Sequence, residues 1–336
     1  MKNKLIRLLP ILAMFVAGVV FPNTASALTL SPTRFEIKAN PGDIIEEEVM
    51  LINKEDSTET FYSSYANFEA QGESGSPAFT VPKDGLGTWI KTEAPAFTVS
   101  PGEQRPVKFT ITIPKDAEPG GHFAVVFWGT SAPDQNGKIG VGAKTGALVL
   151  VSVAGDVEIK GGLLSFATKA KQFFYKTLPV SFEYRFQNEG GDRIKPQGTI
   201  SISDTLFIPA KKLDANPIEG NILPNSIRKF NIDWVNYERP LDYIPSDSFM
   251  GKYWENVAYE WKNFALGLYS ARLKIAYGEP VQYARKTIFF FVFPWELFIV
   301  LVVIISILYF GGRKSIKKYN RYIIKKAREG MSSHNS

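Results

Sequence analysis

From Leu297 to Phe310 every residue is apolar except Ser306 and, near the end, Tyr309. The stretch Pro294–Gly312, wound as a helix, is about 28 Å long, enough to cross a hydrocarbon core. Apolar residues also precede it, from Ile288 to Phe293. A helix starting there would carry Glu296 into the membrane, where an ionised carboxylate is costly. A start at Pro294 instead puts proline in the first turn, where a missing N–H does no harm. Glu296 then meets the positive end of the helix dipole, and Trp295 joins the interfacial aromatic belt. The run is followed by Arg313, Lys314, Lys317, Lys318, Arg321, Lys325, Lys326 and Arg328, against Glu329 alone. Cations massed on one flank of an apolar run mark the cytoplasmic side. They also disfavour the reading of a core helix in a soluble protein. Trp295, Arg313, Lys314, Lys317 and Lys318 are therefore the expected interface residues of a span at 294–312, with a basic cytoplasmic tail at 313–336. Ile316, Ile323, Ile324 and Ala327 would make that tail an amphipathic helix on anionic lipid, in preference to a docking site for a cytoplasmic partner.

This placement disposes of the net charge of +6. With Lys2, Lys4, Arg7 and the tail set aside, residues 28–310 hold 28 cations against 32 acids. The outer part is mildly acidic, so the basic balance reports membrane orientation and not a nucleic-acid partner. Residues 1–27 read as a signal peptide: a charged start, an apolar run from Leu8 to Val20, and Ala25-Ser26-Ala27 for cleavage. There is no cysteine. Disulfides and thiolate chemistry are excluded, and the outer part must be held by core burial.

Strand-length segments follow one another along the rest. In the first half they are Arg34–Ala39, Ile44–Asn53, Glu59–Phe68, Ala96–Val99, a strand alternating Val107, Phe109, Ile111 and Ile113 with polar residues, Gly120–Thr130 and Gly146–Ile159. The last two are nearly continuous apolar runs, as in central strands shielded on both faces. The second half offers Leu163–Ala170, Pro179–Asn188, Pro196–Asp204, Ser226–Trp234, Gly267–Gly278 and Tyr283–Phe293. Proline- and glycine-containing turns separate them. The expected fold is mainly β: two tandem immunoglobulin-like β-sandwiches, 28–160 and 161–293, followed by one transmembrane α-helix. One segment departs from the pattern. Between Ser246 and Phe264, Phe249, Tyr253, Trp254, Val257, Trp261 and Phe264 recur at helical spacing, with Ser246 or Asp247 as N-cap. In one reading Phe249, Trp254 and Trp261 pack onto the second sandwich and cover a sheet edge. In the other, Tyr253, Trp254 and Trp261 present flat faces to a glycan or protein partner, or rest at the outer membrane interface.

Little points to catalysis. Histidine occurs only at His122 and His334, no nucleophile elbow is present, and no pair of carboxylates stands out from solvated strand faces. The expectation is a non-enzyme with no cofactor and no metal. The opening Leu28–Asp43 (LTLSPTRFEIKANPGD), the strand PGGHFAVVF from Pro119, the second β-rich half, the single apolar helix and the basic tail together resemble the WxL-interacting protein family. The resemblance implies a first domain that binds peptidoglycan and a second that binds WxL or host proteins. The sequence thus predicts a single-pass cell-surface protein that binds cell-wall polymer or another surface protein. The alternatives are a structural or chaperone-like part of an envelope assembly, docking partner strands on a sandwich edge, and, less favoured, a glycan-active enzyme.

Overall fold

The protein is described by a computed structural model covering residues 28–132 and 144–332. The expected signal peptide and His334 lie outside the described residues. Two compact units emerge: residues up to Glu69 together with Ala78–Asp156, and Ala70–Pro77 together with residues from Val157 onward.

The first unit contains β1 (Thr29–Ser31), β2 (Arg34–Ala39), β3 (Ile44–Ile52), β4 (Glu59–Gln71), β5 (Ser76–Thr80), α1 (Leu86–Trp89), β6 (Ile90–Thr92), β7 (Ala96–Val99), β8 (Gln104–Thr112), β9 (Gly120–Gly129) and β10 (Lys144–Val153), except that the tip joining β4 to β5, Ala70–Pro77, belongs to the second unit. One sheet runs β1-β3-β8-β6; the other runs β2-β10-β9-β4-β5, with β7 beside β4. Alternation decides which side chains meet between them: Val107, Phe109 and Ile111 of β8 are buried, and so are Val149, Val151 and Val153 of β10. The near-continuous apolar runs are explained by a second, smaller cluster. Ala66, Val125 and Phe127 are buried together, with Leu148 against them, and Phe79 meets Phe127 edge to face at 5.1 Å.

The second unit contains β11 (Gly161–Thr168), β12 (Phe174–Tyr175), β13 (Val180–Asn188), β14 (Gln197–Asp204), β15 (Pro209–Asp214), β16 (Ser226–Trp234), α2 (Phe249–Lys262), β17 (Gly267–Tyr277), β18 (Gln282–Val292) and α3 (Trp295–Ser332). Its sheets are β11-β13-β16 and β12-β18-β17-β14-β15. Its core is aromatic. Phe290 packs against Phe182 at 5.6 Å, Tyr269 at 5.9 Å and Trp234 at 6.1 Å, while Tyr184 stacks on Phe230 at 4.7 Å.

Both units follow one plan. The opening strand divides between the sheets: β1 and β11 lie antiparallel to β3 and β13, whereas β2 and β12 lie parallel to the last strands, β10 and β18. This split, with an antiparallel sandwich behind it, is immunoglobulin-like topology. The units also repeat a hydrogen-bonding device at the end of their second long strand. Asn53 Nδ2 donates to Ser57 O and Val99 O, and its Oδ1 accepts from Glu55 N, each at 2.9 Å. Asn188 Nδ2 donates to Asp192 O and Ile222 O, and its Oδ1 accepts from Gly190 N, at 2.7–2.9 Å. Both asparagines are fully buried, and each satisfies backbone groups at the matching place of its sandwich.

Several strand ends shift by one to three residues from the sequence reading, and two boundaries differ by more. β10 stops at Val153, not Ile159, and α3 continues through Gly311 and Gly312 into the basic residues without interruption. The tail is thus the second half of one helix, not a separate one. A window of this helix within Trp295–Ile324 has a mean hydropathy of 2.2, and none of it is buried in the protein, so it is long and apolar enough to cross a membrane.

Candidate functional site

The helix expected within 246–264 is α2, and Ser248 is its N-cap, accepting from Gly251 N at 3.0 Å. Its aromatic residues do not cover a sheet edge. Phe249, Trp254 and Trp261 are exposed, Trp261 by 70 %, while Val257 and Glu260 are the buried residues. Tyr253 is half-buried. The packing reading of Phe249, Trp254 and Trp261 is therefore corrected. A helical period of apolar residues locates a face but does not say whether protein or another apolar phase covers it.

What the inner face of α2 meets is the start of α3. Glu260, only 3 % exposed, accepts from Leu297 N through Oε2 at 2.7 Å. Tyr253 OH donates to Glu296 O at 3.2 Å, and Asn256 Nδ2 to Glu296 Oε1 at 3.3 Å. The first N–H groups of a helix have no partner inside it. Here a carboxylate from a neighbouring helix supplies one, at the end where the dipole favours negative charge. Burial pushes the Glu260 carboxyl up, and the Leu297 N–H opposes that only in part. Trp295 is partly exposed, with Lys176 Nζ 5.6 Å from its ring centroid.

The far end of α2 is tied down equally firmly. Asn263 is fully buried; its Nδ2 donates to Tyr237 O, and its Oδ1 accepts from Asn236 N and Tyr237 N. Glu255 accepts from Tyr243 OH at 2.7 Å and Ser246 N at 3.0 Å. The Tyr243 bond is the main cause that holds its carboxyl below the usual range. Residues 235–266 thereby form a brace, fastened to itself and to the first turn of α3. Sequence reasoning missed Glu260 and Asn263. The available signal was polarity inside an apolar stripe, at Glu260 between Val257 and Phe264.

The interface residues expected on the basic side, Arg313, Lys314, Lys317 and Lys318, are all exposed along α3. His122 sits beside Trp89, ring centroids 4.7 Å apart, with Nε2 2.8 Å from Glu118 O. Among the described residues no hydroxyl is hydrogen-bonded to the imidazole. Among the described residues no group of three or more His, Asp or Glu stands close enough to hold a metal.

A second feature lies on β18. One edge pairs with β17 over the strand's full eleven residues. On the other edge, among the described residues, only Phe291 and Val292 pair, with the two residues of β12. The corresponding strand of the first unit, β10, meets β2 over six pairs. Along the free part of β18, Tyr283, Arg285, Lys286, Thr287 and Phe289 are exposed.

No family model and no curated protein matches the chain. Among solved structures, the class 5 fimbriae chaperone CfaA is similar with a TM-score of 0.35 and 14 % identity, covering 60 % of this chain and 83 % of its own. A chaperone–tip adhesion subunit complex, CsuC–CsuE of Acinetobacter baumannii, gives 0.34 and 12 %, covering 80 % and 99 %. The E. coli chaperone DraB gives 0.32 and 12 %, covering 79 % and 97 %. The immunoglobulin-like assignment rests on the strand pairing described above and not on these likenesses.

Proposed function

We propose that this is an exported, single-pass, non-enzymatic docking protein of the cell envelope. Its two sandwiches stand outside the membrane, α3 crosses it, and the basic half of α3 lies in the cytoplasm. Its partner is another protein, which adds an extended segment to the open edge of β18. The free edge of β18 carries this reading. An unpaired strand offers a ladder of N–H and C=O groups, and β-augmentation is the recognition mode that uses it. Edges left open are normally guarded by charge against indiscriminate pairing, and Arg285 and Lys286 sit at mid-strand here. The same cations select a segment bearing Asp or Glu. This favours the strand-docking, chaperone-like alternative over cell-wall polymer, for which no observation here speaks.

The test places a photoreactive residue at Thr287 of the full chain in intact cells, with a second at Lys274, on the neighbouring inner strand, for comparison. One discrete protein adduct is expected from position 287 and not from 274, and Arg285→Glu with Lys286→Glu should abolish it. No adduct at 287, or an adduct indifferent to the two charge reversals, would remove the proposal. Protease added outside the same cells should digest both sandwiches and spare α3; the reverse pattern would overturn the topology.

A further inference from the structure

Many of the exposed large apolar residues of the second unit lie at one end of its sandwich, and the sheet register identifies that end; Ile218, Val281 and Tyr283 lie toward the other. β18 runs toward α3, with only Phe293 and Pro294 between them. Its last residues, Phe291 and Val292, pair with Leu268 and Gly267 of β17 on one side and with Phe174 and Tyr175 of β12 on the other. One strand further along, Asp204 at the end of β14 pairs with Tyr269, and Thr205 Oγ1 donates to Leu268 O at 3.0 Å. Measured along the strands, the turn joining β14 to β15 is therefore level with the last residues of β18 and within roughly two residues, or ~7 Å, of the level at which α3 starts, while lying two strands, or ~10 Å, to the side.

That turn consists of Thr205-Leu206-Phe207-Ile208, and its last three residues are all exposed, Phe207 by 80 %. Turn tips are ordinarily built from Gly, Asn, Asp or Ser. Here Phe207 holds a positive φ of 59°, a conformation that bulky residues rarely adopt. Asp204 locks it in place: Oδ1 accepts from Leu206 N at 2.9 Å and Ile208 N at 2.8 Å, and the backbone closes through Phe207 N to Asp204 O at 3.0 Å. A rigid turn that drives a strained aromatic outward calls for something apolar to receive it. Phe173 and Phe174 are exposed beside Phe291, and α2 adds Trp254 and Trp261 on one exposed flank and Phe249 at its start. Asp204 is engaged in the turn and Glu255, Glu260 and Glu296 in the brace, Asp242 and Asp247 are exposed, and Lys176, Lys211 and Lys252 add cations.

We propose that this end of the second sandwich is a lipid-embedded foot. The 206–208 turn, Phe173–Phe174 and the flank of α2 that carries Trp254 and Trp261 sit in the outer leaflet around α3. Lipid is the occupant because the patch is continuous with the membrane helix: α2 is hydrogen-bonded to the first turn of α3, and the 206–208 turn is level with it. Aromatic residues mixed with lysines suit the headgroup boundary. The foot rests on the reading of α3 as membrane-crossing and adds that the sandwich itself enters the interface.

The chain has no cysteine, so single substitutions report unambiguously. Full-length protein carrying an environment-sensitive fluorophore at Phe207→Cys, Trp261→Cys, Gln282→Cys or Ile304→Cys is reconstituted in vesicles of zwitterionic and anionic lipid. Nitroxide lipids labelled high or deep on the acyl chain serve as quenchers. Positions 207 and 261 should lose most of their emission to the shallow quencher, 304 to the deep one, and 282, at the opposite end of β18, to neither. Quenching at 304 with 207 and 261 as unaffected as 282 would overturn the foot and leave α3 spanning. Loss of quenching at 304 as well would overturn the spanning reading itself. Protection of 207 and 261 in native membranes but not in pure lipid would assign the patch to a protein partner and refute the foot. Phe207 and Trp261 are exposed, so these substitutions leave the core intact.

Discussion

The two sandwiches share a pairing plan, a divided opening strand and a buried asparagine with the same three hydrogen bonds, yet they differ at the link before the penultimate strand. In the first unit residues 113–119 join β8 to β9. In the second, residues 235–266 join β16 to β17 and contain α2. They differ again at the last strand, where six pairs with β2 shrink to two with β12. Nothing in the common frame requires these changes, because the first unit closes without them. What the second unit adds is a helix that caps α3 and a strand edge left open. The shared parts hold the fold; the divergent parts are the ones the proposed membrane and partner contacts use.

The largest test of that division is to remove the two cores separately. Phe290→Ala should cost about 3–5 kcal/mol and lower the unfolding transition of the second unit, because Phe290 meets four aromatic rings there. Trp128→Ala, at a fully buried position of the first unit, should do the same to the first transition alone. Calorimetry or denaturant unfolding of the reconstituted protein should resolve the two shifts, and a single merged transition moving with either variant would break the comparison. Next in size are Asn53→Ala and Asn188→Ala. If the two asparagines are equivalent, each should destabilise its unit by about 2–4 kcal/mol through lost and orphaned hydrogen bonds. Strongly unequal losses in the same assay would show that the repeated geometry conceals different roles.

The smallest effect is confined to the second unit and depends on pH. Burial raises the Glu260 carboxyl, so the folded protein binds its proton more tightly than the unfolded chain does. This contribution lowers stability as pH rises from the ordinary carboxylate value through the raised one. Glu73, held down mainly by its hydrogen bond from Arg185, and Glu255, held down mainly by that from Tyr243, act with the opposite sign as pH falls. Glu260→Gln keeps an acceptor for Leu297 N and removes only the titration. The wild type should therefore gain stability relative to Glu260→Gln on acidification through that window, measured as the difference between their melting profiles. A constant difference would show that Glu260 does not titrate there.

Much of this frame was legible in the sequence. Arg34–Ala39, Ala96–Val99 and Ser226–Trp234 announce strands whose ends match, because alternation is unbroken and a turn follows or precedes each. β12 and β15 were not legible. Phe174–Tyr175 is too short to alternate, and Pro209–Asp214, with a proline and two adjacent lysines, reads as a loop until β14 is beside it. The extent of α2 was close, but its orientation could not be read. Phe249, Trp254 and Trp261 satisfy the same periodicity whether they meet a sheet or lipid, and the informative residue was Glu260, whose partner lies 37 positions away. The 206–208 turn was passed over because connecting segments are expected to be polar.

The junction between β18 and α3 has a mechanical consequence. With two residues intervening, there is no slack to absorb a pull. In the proposed arrangement, tension on a partner held along β18 would run down the strand axis into the bilayer anchor, across a partner–β18 ladder whose hydrogen bonds lie perpendicular to it. Such bonds would be loaded in shear together and would not peel one after another. A mount of this kind would bear tugging while passing even small displacements along α3.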